Sequence, residues 1–375
     1  MDYRGCDGTS ENEGTVILAR KEMVKNMERS HTKKIKIGTK FVGGDAPIQV
    51  QSMTNTDTRN AKDTIEQIIK LENAGCDIIR CAVPDMEAAQ ALKTITREVH
   101  IPVVADIHFD YKLALQAIKN GVSAIRINPG NIGGGERVKA VVDAAKEKEV
   151  PIRIGVNSGS LQKDILKAYG GICPEALVES ALQHVELLEE LNFYNIAISV
   201  KSTEVVEMIE AYRLISKRTS YPLHVGVTES GTLRRGTIKS SVGIGTLLAE
   251  GIGDTIRVSL TDDPIEEVKV GREILKSLGL IKEGIELISC PTCGRTQIDL
   301  IKIAKEVEEK LANVDKPLKV AVMGCAVNGP GEAKRADIGI AGGKGEGLIF
   351  RKGEIIKKVK EEDLVGELLL EIEKL

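Results

Sequence analysis

One rhythm constrains this chain more than any other feature. Short apolar, β-rich runs alternate with longer amphipathic stretches, and the alternation repeats eight times. The runs are Pro47 to Met53, Asp77 to Val83, Pro102 to His108, Ala124 to Asn128, Pro151 to Asn157, Asn195 to Lys201, Pro222 to Thr228 and Asp254 to Leu260. Between them, Thr64 to Asn73 carries Ile65, Ile68, Ile69 and Glu72 at helical spacing. Pro174 to Leu191 does the same with Leu177, Ala181, Val185 and Leu188. Strand–helix repetition of this count predicts an α/β fold, a TIM (β/α)8 barrel rather than a doubly wound sheet. The barrel is expected over residues 31–283. It follows an N-terminal extension, residues 1–30, that lacks sustained periodicity and offers Met23 and Met27 as alternative starts.

Residues 284–375 change character and predict a small α+β domain. Thr296 is expected to cap a helix running to about Val314, with Leu300, Ala304, Val307 and Leu311 on one face. A strand at Leu318 to Met323 follows. Leu348 to Arg351 and Glu354 to Lys358 flank a hairpin turn at Lys352-Gly353, and a last helix carries Leu364, Leu368 and Ile372.

Composition removes several function classes. Lys+Arg 52 against Asp+Glu 55 lacks the basic excess of a generic nucleic-acid binder. No Trp and 3% aromatic residues argue against a base-stacking platform. Hydrophobic content of 42% with 29% charged residues is that of a folded chain. No apolar run nears the roughly 18 residues of a membrane span. Asp2, Asp7, Glu11 and Glu13 make the start too acidic for a secretory signal, so a cytoplasmic location is expected.

Strand residues at even spacing share a face. The barrel strands place polar residues at that spacing: Asp106 and His108; Arg126 and Asn128; Arg153, Gly155 and Asn157; Ser199 and Lys201; Thr228 and Ser230; Arg257 and Ser259. Arg80 interrupts another apolar strand. The face towards the helices must be apolar, so these stripes point to the lumen. They lie at C-terminal strand ends, where barrel active sites are built. Arg80, Arg126, Arg153, Lys201 and Arg257 are five converging cations, with Asp106 and Glu229 the expected nearby anions. Buried charge requires a partner, and Arg matches phosphate oxygens in pairs, so a diphosphate-like ligand is expected. Structural ion pairing is the competing reading for any single Arg. His108 and Glu229 are the acid–base candidates. The Gly-rich loop from Asn128 to Gly135 matches neither the P-loop nor the dinucleotide fingerprint.

Seven cysteines, scattered through a long chain, point to reduced thiols, metal or redox chemistry rather than a disulfide framework. Cys76 and Cys81 read as core residues; Cys6 and Cys173 carry no assigned role. Cys290-Pro291-Thr292-Cys293 is a C-x2-C, with Cys325 and Glu332 following in Gly324 to Glu332. Three thiolates suit zinc or an iron–sulfur cluster. No His lies in this domain, His224 being the last, which favours a cluster with a non-Cys fourth ligand. A helix beginning near Thr296 would set its N-terminus close to such an anionic cluster. The C-x3-C-x2-C spacing of radical enzymes is absent.

From about Lys34 onward the chain resembles the 4-hydroxy-3-methylbut-2-enyl diphosphate synthase family of the methylerythritol phosphate isoprenoid pathway. The resemblance rests on GGDAPIQVQSMTNTDT, VPDMEAA, VADIHFDY, RINPGNIG, RIGVNSGSL, GVTESGT, LLAEGIGDTIRVSLT, SCPTCGRT and GCAVNGPGEA, in that order. It implies a TIM barrel followed by a ferredoxin-reductase-like cluster domain. It implies a [4Fe–4S] cluster on Cys290, Cys293, Cys325 and Glu332, with Glu332 as the exchangeable ligand. The implied reaction is reductive opening of 2-C-methyl-D-erythritol 2,4-cyclodiphosphate with loss of water, fed by reduced ferredoxin or flavodoxin. Arg80, Asp106, Arg126, Arg153, Asn157, Lys201, Thr228, Arg257, Ser259 and Asn328 are then substrate-binding candidates. Glu229, His108 and Glu332 are catalytic candidates. A homodimer in which one subunit's cluster domain faces its partner's barrel is implied as well. A pterin-binding barrel is a second reading, favoured by Asp106 to His108, but it leaves the cysteine motif unexplained. An electron carrier or zinc-stabilised module leaves the strand-borne cations unexplained.

Overall fold

The computed structural model describes residues 29–312, 314–325 and 333–375. Two compact units meet between Leu278 and Gly279.

The first unit opens with a short antiparallel hairpin, β1 (Ile35–Ile37) and β2 (Lys40–Val42). Eight parallel strands follow: β3 (Gln49–Met53), β4 (Ile78–Ala82), β5 (Val103–Asp106), β6 (Ala124–Ile127), β7 (Ile152–Asn157), β8 (Ile196–Lys201), β9 (His224–Val225) and β10 (Thr255–Ile256). Each of the eight sequence runs contains one of them. The ladder runs β8-β7-β6-β5-β4-β3-β10-β9, and a parallel bridge from Ile198 to Leu223 joins its two ends into a barrel. Tyr212 reinforces that seam: its buried hydroxyl donates to the His224 carbonyl at 2.5 Å and accepts from the Val200 amide at 3.2 Å.

Helices α1 (Ala61–Asn73), α2 (Met86–Glu98), α3 (Tyr111–Lys119), α4 (Gly135–Glu147), α5 (Lys163–Tyr169), α6 (Pro174–Glu190), α7 (Val205–Arg218), α8 (Leu233–Ala249) and α9 (Pro264–Ser277) surround the barrel, α5 being an extra short helix after β7. Side chains at capping positions start several of them, as at Asn60, Asp85, Asp110 and Asp263. In α6 the buried face is the expected one, including Leu177, Ala181, Val185 and Leu188. In α1 it is turned from expectation: Thr64, Ile68 and Leu71 are buried, while Ile69 is 39% exposed. A seam through Thr64, Ile68 and Leu71 follows the helical period, and Ile69 lies about 100° away from Ile68 around the axis.

Strand alternation sorts the two faces. Ile79, Cys81, Ile125, Ile127, Ile154, Val156, Ile198 and Val200 are fully buried on the faces opposite the polar stripes. Burial pushes the Cys76 and Cys81 thiols up to about 12, as inert core residues require. The hairpin plugs the N-terminal end. Ile35, Ile37 and Val42 form a buried cluster with Ile78, Val104, Ala124 and Ala197, each two positions before a polar lumen residue.

The second unit holds one five-stranded sheet of β11 (Ile285–Ser289), β12 (Leu318–Met323), β13 (Ile338–Gly342), β14 (Glu346–Arg351) and β15 (Glu354–Lys360), in that order. The first three strands are parallel and the last two antiparallel additions. Helices α10 (Leu300–Leu311) and α11 (Leu364–Glu373) share a core with the sheet, formed by Leu300, Ile303, Val307, Val320, Ile340, Leu364 and Leu368 among others. The cap of α10 is Asp299, which accepts from the Lys302 amide, and not Thr296. Thr296 instead accepts from the Cys293 amide at 3.1 Å and closes the cysteine turn, so the helix begins seven residues after Cys293, not beside it.

Candidate active site

The register sets the polar stripes side by side. Asp106 on β5 lies beside Arg126 on β6, which lies beside Arg153 on β7. Asn157 lies beside Lys201 where β7 meets β8. Parallel neighbours in register point the same way, so these side chains enter one lumen above the hairpin plug.

Asp106 is the anionic hub. Its carboxylate lies 3.2 Å from Arg126 Nη1, 3.6 Å from Arg80 Nε and 3.5 Å from His108 Nε2. Burial alone would raise its pKa, but Arg80, His108 and Arg126 overcome that and hold the carboxyl well below the aspartate range. Arg153 Nη1 donates to Gln51 at 2.6 Å, while its buried Nε and Nη2 have no partner among the described residues. Lys201 is buried and makes no ion pair or hydrogen bond among the described residues. Burial first, then Arg257, Arg80, Arg153 and Arg126, push it well below the ordinary lysine range.

The lumen's second anion differs from the expected one. Glu267, on α9, is 5% exposed and lies 3.3 Å from Arg257 Nη2. It also accepts from Ser52 Oγ and the Leu260 amide, each at 3.0 Å. Glu229 is exposed in the loop after β9, makes no ion pair among the described residues, and adopts a left-handed φ of 51°. A non-glycine residue held there is strained, and such strain concentrates at functional loops. His108 is also exposed, and Thr228 and Ser259 are half-buried at the same strand ends. The geometry therefore separates a buried cationic floor from an exposed rim.

Two glycines make the floor possible. A Cβ on Gly155 would stand 2.3 Å from Arg126 Nε, and one on Gly226 would stand 2.4 Å from the Arg257 carbonyl and 2.9 Å from Lys201 Nζ. Glu267, Gln51, Gly226 and a lumen place for His224 escaped the sequence reading, which puts Gly155 on the polar stripe without its packing role. Gln49 and Gln51 were visible as polar residues at strand spacing, and Glu267 as an acid on the apolar face of α9, between Pro264 and Gly271.

In the second unit, Cys290 follows β11 and Cys325 follows β12 by one intervening glycine. Those strands are parallel neighbours, so both thiols leave the same sheet edge. The Gly324 amide donates to Cys290 Sγ at 3.2 Å. Hydrogen bonds from the backbone and then the side chain of Arg295 push the Cys293 thiol down, towards thiolate. Soft sulfur donors with N–H support fit a thiolate-bound metal or cluster. Among the described residues no three Cys, His, Asp or Glu side chains come together as a ligand set. Glu332 and Asn328 lie outside the described residues, as does Cys6. Cys173 caps α6, its sulfur accepting from the Ala176 amide.

Residues 32–272 match the GcpE TIM-barrel domain and residues 286–374 the GcpE protein C-terminal domain. The chain belongs to the GcpE family. Relatives include a Clostridium acetobutylicum protein 71% identical over 347 residues, covering 92% of this chain and 99% of that one. A Clostridium perfringens relative is 70% identical with the same coverage, and one from Clostridium tetani is 68% identical over 346 residues, covering 92% of this chain and 99% of that protein. All three are named 4-hydroxy-3-methylbut-2-en-1-yl diphosphate synthase (flavodoxin). Among solved structures, dihydropteroate synthase from Stenotrophomonas maltophilia aligns at a TM-score of 0.49 with 14% identity, over 66% of this chain and 97% of that one. Within the GcpE family boundaries, the cationic lumen falls in the first domain and Cys290, Cys293 and Cys325 in the second. No helix among the described residues is long and apolar enough to cross a membrane.

Proposed function

We propose that this chain reductively opens 2-C-methyl-D-erythritol 2,4-cyclodiphosphate to 4-hydroxy-3-methylbut-2-enyl diphosphate and water in isoprenoid precursor biosynthesis. The observation that carries the reading is the lumen's charge: among the described residues, Arg80, Arg126, Arg153, Lys201 and Arg257 face only the anions Asp106 and Glu267. Arginine forks and an ammonium suit two bridged phosphates. Ring opening consumes two electrons and a net proton, breaks the bond between a ring carbon and a phosphate oxygen, and releases a hydroxyl as water. The diphosphate gains one negative charge as it opens. A fixed cationic lumen stabilises that developing charge without reorganising.

Arg80, Asp106, Arg126, Arg153, Asn157, Lys201, Thr228, Arg257, Ser259 and Asn328 would bind and orient the substrate. Asp106 holds Arg80 and Arg126 in place. Glu229 or His108, at the exposed rim, would give the proton to the departing hydroxyl. Cys290, Cys293, Cys325 and Glu332 would hold a [4Fe–4S] cluster, with Glu332 as the labile, catalytic ligand. When bound, the cluster supplies electrons one at a time. The relatives' names support reduced flavodoxin as donor. Residues 31–283 would form the substrate domain and 284–375 the cluster domain of a cytoplasmic homodimer, each cluster domain serving its partner's barrel. Mixing a Cys290→Ser protein with an Arg126→Ala protein tests that dimer: turnover that neither has alone is expected.

The deciding experiment is iron and acid-labile sulfide content with an absorption spectrum, on protein purified without oxygen, before and after adding the cyclic diphosphate. About four irons per chain and a substrate-dependent spectral change are expected. Zinc alone, or no metal after anaerobic reconstitution, would overturn the redox reading.

A further inference from the structure

We propose that Lys201 stands in the empty barrel as a neutral amine and takes up a proton from solvent as the cyclic diphosphate binds. This rests on the substrate reading above. Lys201 is 6% exposed, on β8, and no anion lies within ion-pair distance of its Nζ among the described residues. Gly226, directly after β9, leaves room for the Nζ: a Cβ there would stand 2.9 Å from it.

Charged groups from several strands face Lys201. Arg80 comes from β4, Arg126 from β6, Arg153 from β7 and Arg257 from just after β10. His224, on β9, is buried, with Nδ1 2.8 Å from Thr255 Oγ1. The two anions are already engaged: Asp106 on β5 by Arg80, Arg126 and His108, and Glu267 on α9 by Arg257. Glu229 lies exposed at the rim. The lumen therefore holds an excess of positive charge in a space of low dielectric. Arginine does not shed its proton in proteins, and lysine does. Lys201 is thus the group through which the empty lumen relieves its repulsion, in keeping with its lowered pKa. Two phosphates arriving beside it reverse the field and restore the ammonium. The reaction consumes one net proton, and this uptake brings one into the lumen with the substrate.

A base whose pKa rises on binding makes binding tighter at lower pH. Affinity falls by about tenfold per pH unit between the empty-state and the bound-state pKa. The cyclic diphosphate has no phosphate proton that titrates near neutrality, so the proton count reports on protein groups.

The test is titration calorimetry of the full-length protein with the cyclic diphosphate near pH 8, in buffers of different ionisation enthalpy. Wild type is expected to take up about one proton per ligand. Lys201→Arg, permanently charged, is expected to bind with almost no uptake and a flat pH profile. Binding without uptake in wild type, a measurement that needs no variant, overturns the proposal. Equal uptake in wild type and Lys201→Arg also overturns it, assigning the proton to another group such as His224. Absence of binding by wild type would instead overturn the substrate reading itself.

Discussion

Glu229 carries two opposed demands on one side chain. Its φ of 51° suits glycine, while the proposed chemistry needs its carboxyl. Glu229→Gly is expected to raise stability by about 1 kcal/mol in calorimetric melting, by relieving that strain. The same variant is expected to lose about a hundredfold or more in turnover with reduced flavodoxin, by losing the acid. Unchanged turnover would remove Glu229 as proton donor and leave His108. Asp106 presents the reverse case, a residue whose ionisation holds the floor together. Its carboxyl sits far below the ordinary aspartate range, so its contribution is complete above about pH 4 and is lost only as pH falls further. Asp106→Asn leaves Arg80 and Arg126 uncompensated. It is expected to cost about 3–5 kcal/mol in urea unfolding at neutral pH and to flatten the acid limb of the stability profile.

At the level of elements, the hairpin β1–β2 and the turn between β14 and β15 show how local chemistry serves tertiary ends. The first hairpin contributes Ile35, Ile37 and Val42 to the barrel's lower core and so walls the charged layer from solvent below. The second turns at Lys352 and Gly353, both with positive φ, at 50° and 85°. Gly353 is at ease there and Lys352 is not. Lys352→Gly is therefore expected to raise the melting temperature of the second unit, by up to about 1 kcal/mol of stability. A fall would show that the Lys352 side chain contributes more than the strain costs. The β15 edge carries Lys357, Lys358 and Lys360, a charged edge that discourages pairing with another sheet.

For the whole molecule, the decisive feature is two units with separate hydrophobic cores. Domains of this kind melt as independent cooperative units. Calorimetry of the anaerobic protein is expected to show two transitions. If iron is bound as proposed, removing it with a chelator is expected to lower the one belonging to residues 279–375 and leave the barrel's in place, because the proposed ligands Cys290, Cys293 and Cys325 all lie in the second unit. A barrel transition that moved equally would contradict the proposed metal site in the second unit.

Much of this was legible in the sequence. All eight barrel strands fall within runs marked by their periodicity, because alternation between core and lumen is a local, residue-by-residue signal. Placing Arg126, Arg153 and Lys201 inside needed only that alternation and the requirement that helix-facing positions be apolar. The α11 face and the turn at Lys352-Gly353 were equally local. Strands β11 and β13 went unread, because short runs beside loops carry too little periodicity. What only the tertiary structure decided is which charge meets which. Glu267 reaches Arg257 from a neighbouring helix, Gln51 reaches Arg153 across the closed lumen, and Gly155 yields its side-chain volume to Arg126. Such pairings depend on strand register and barrel closure, which set distances between residues remote in sequence. Periodicity fixes the face a side chain occupies; the closed barrel fixes its neighbour.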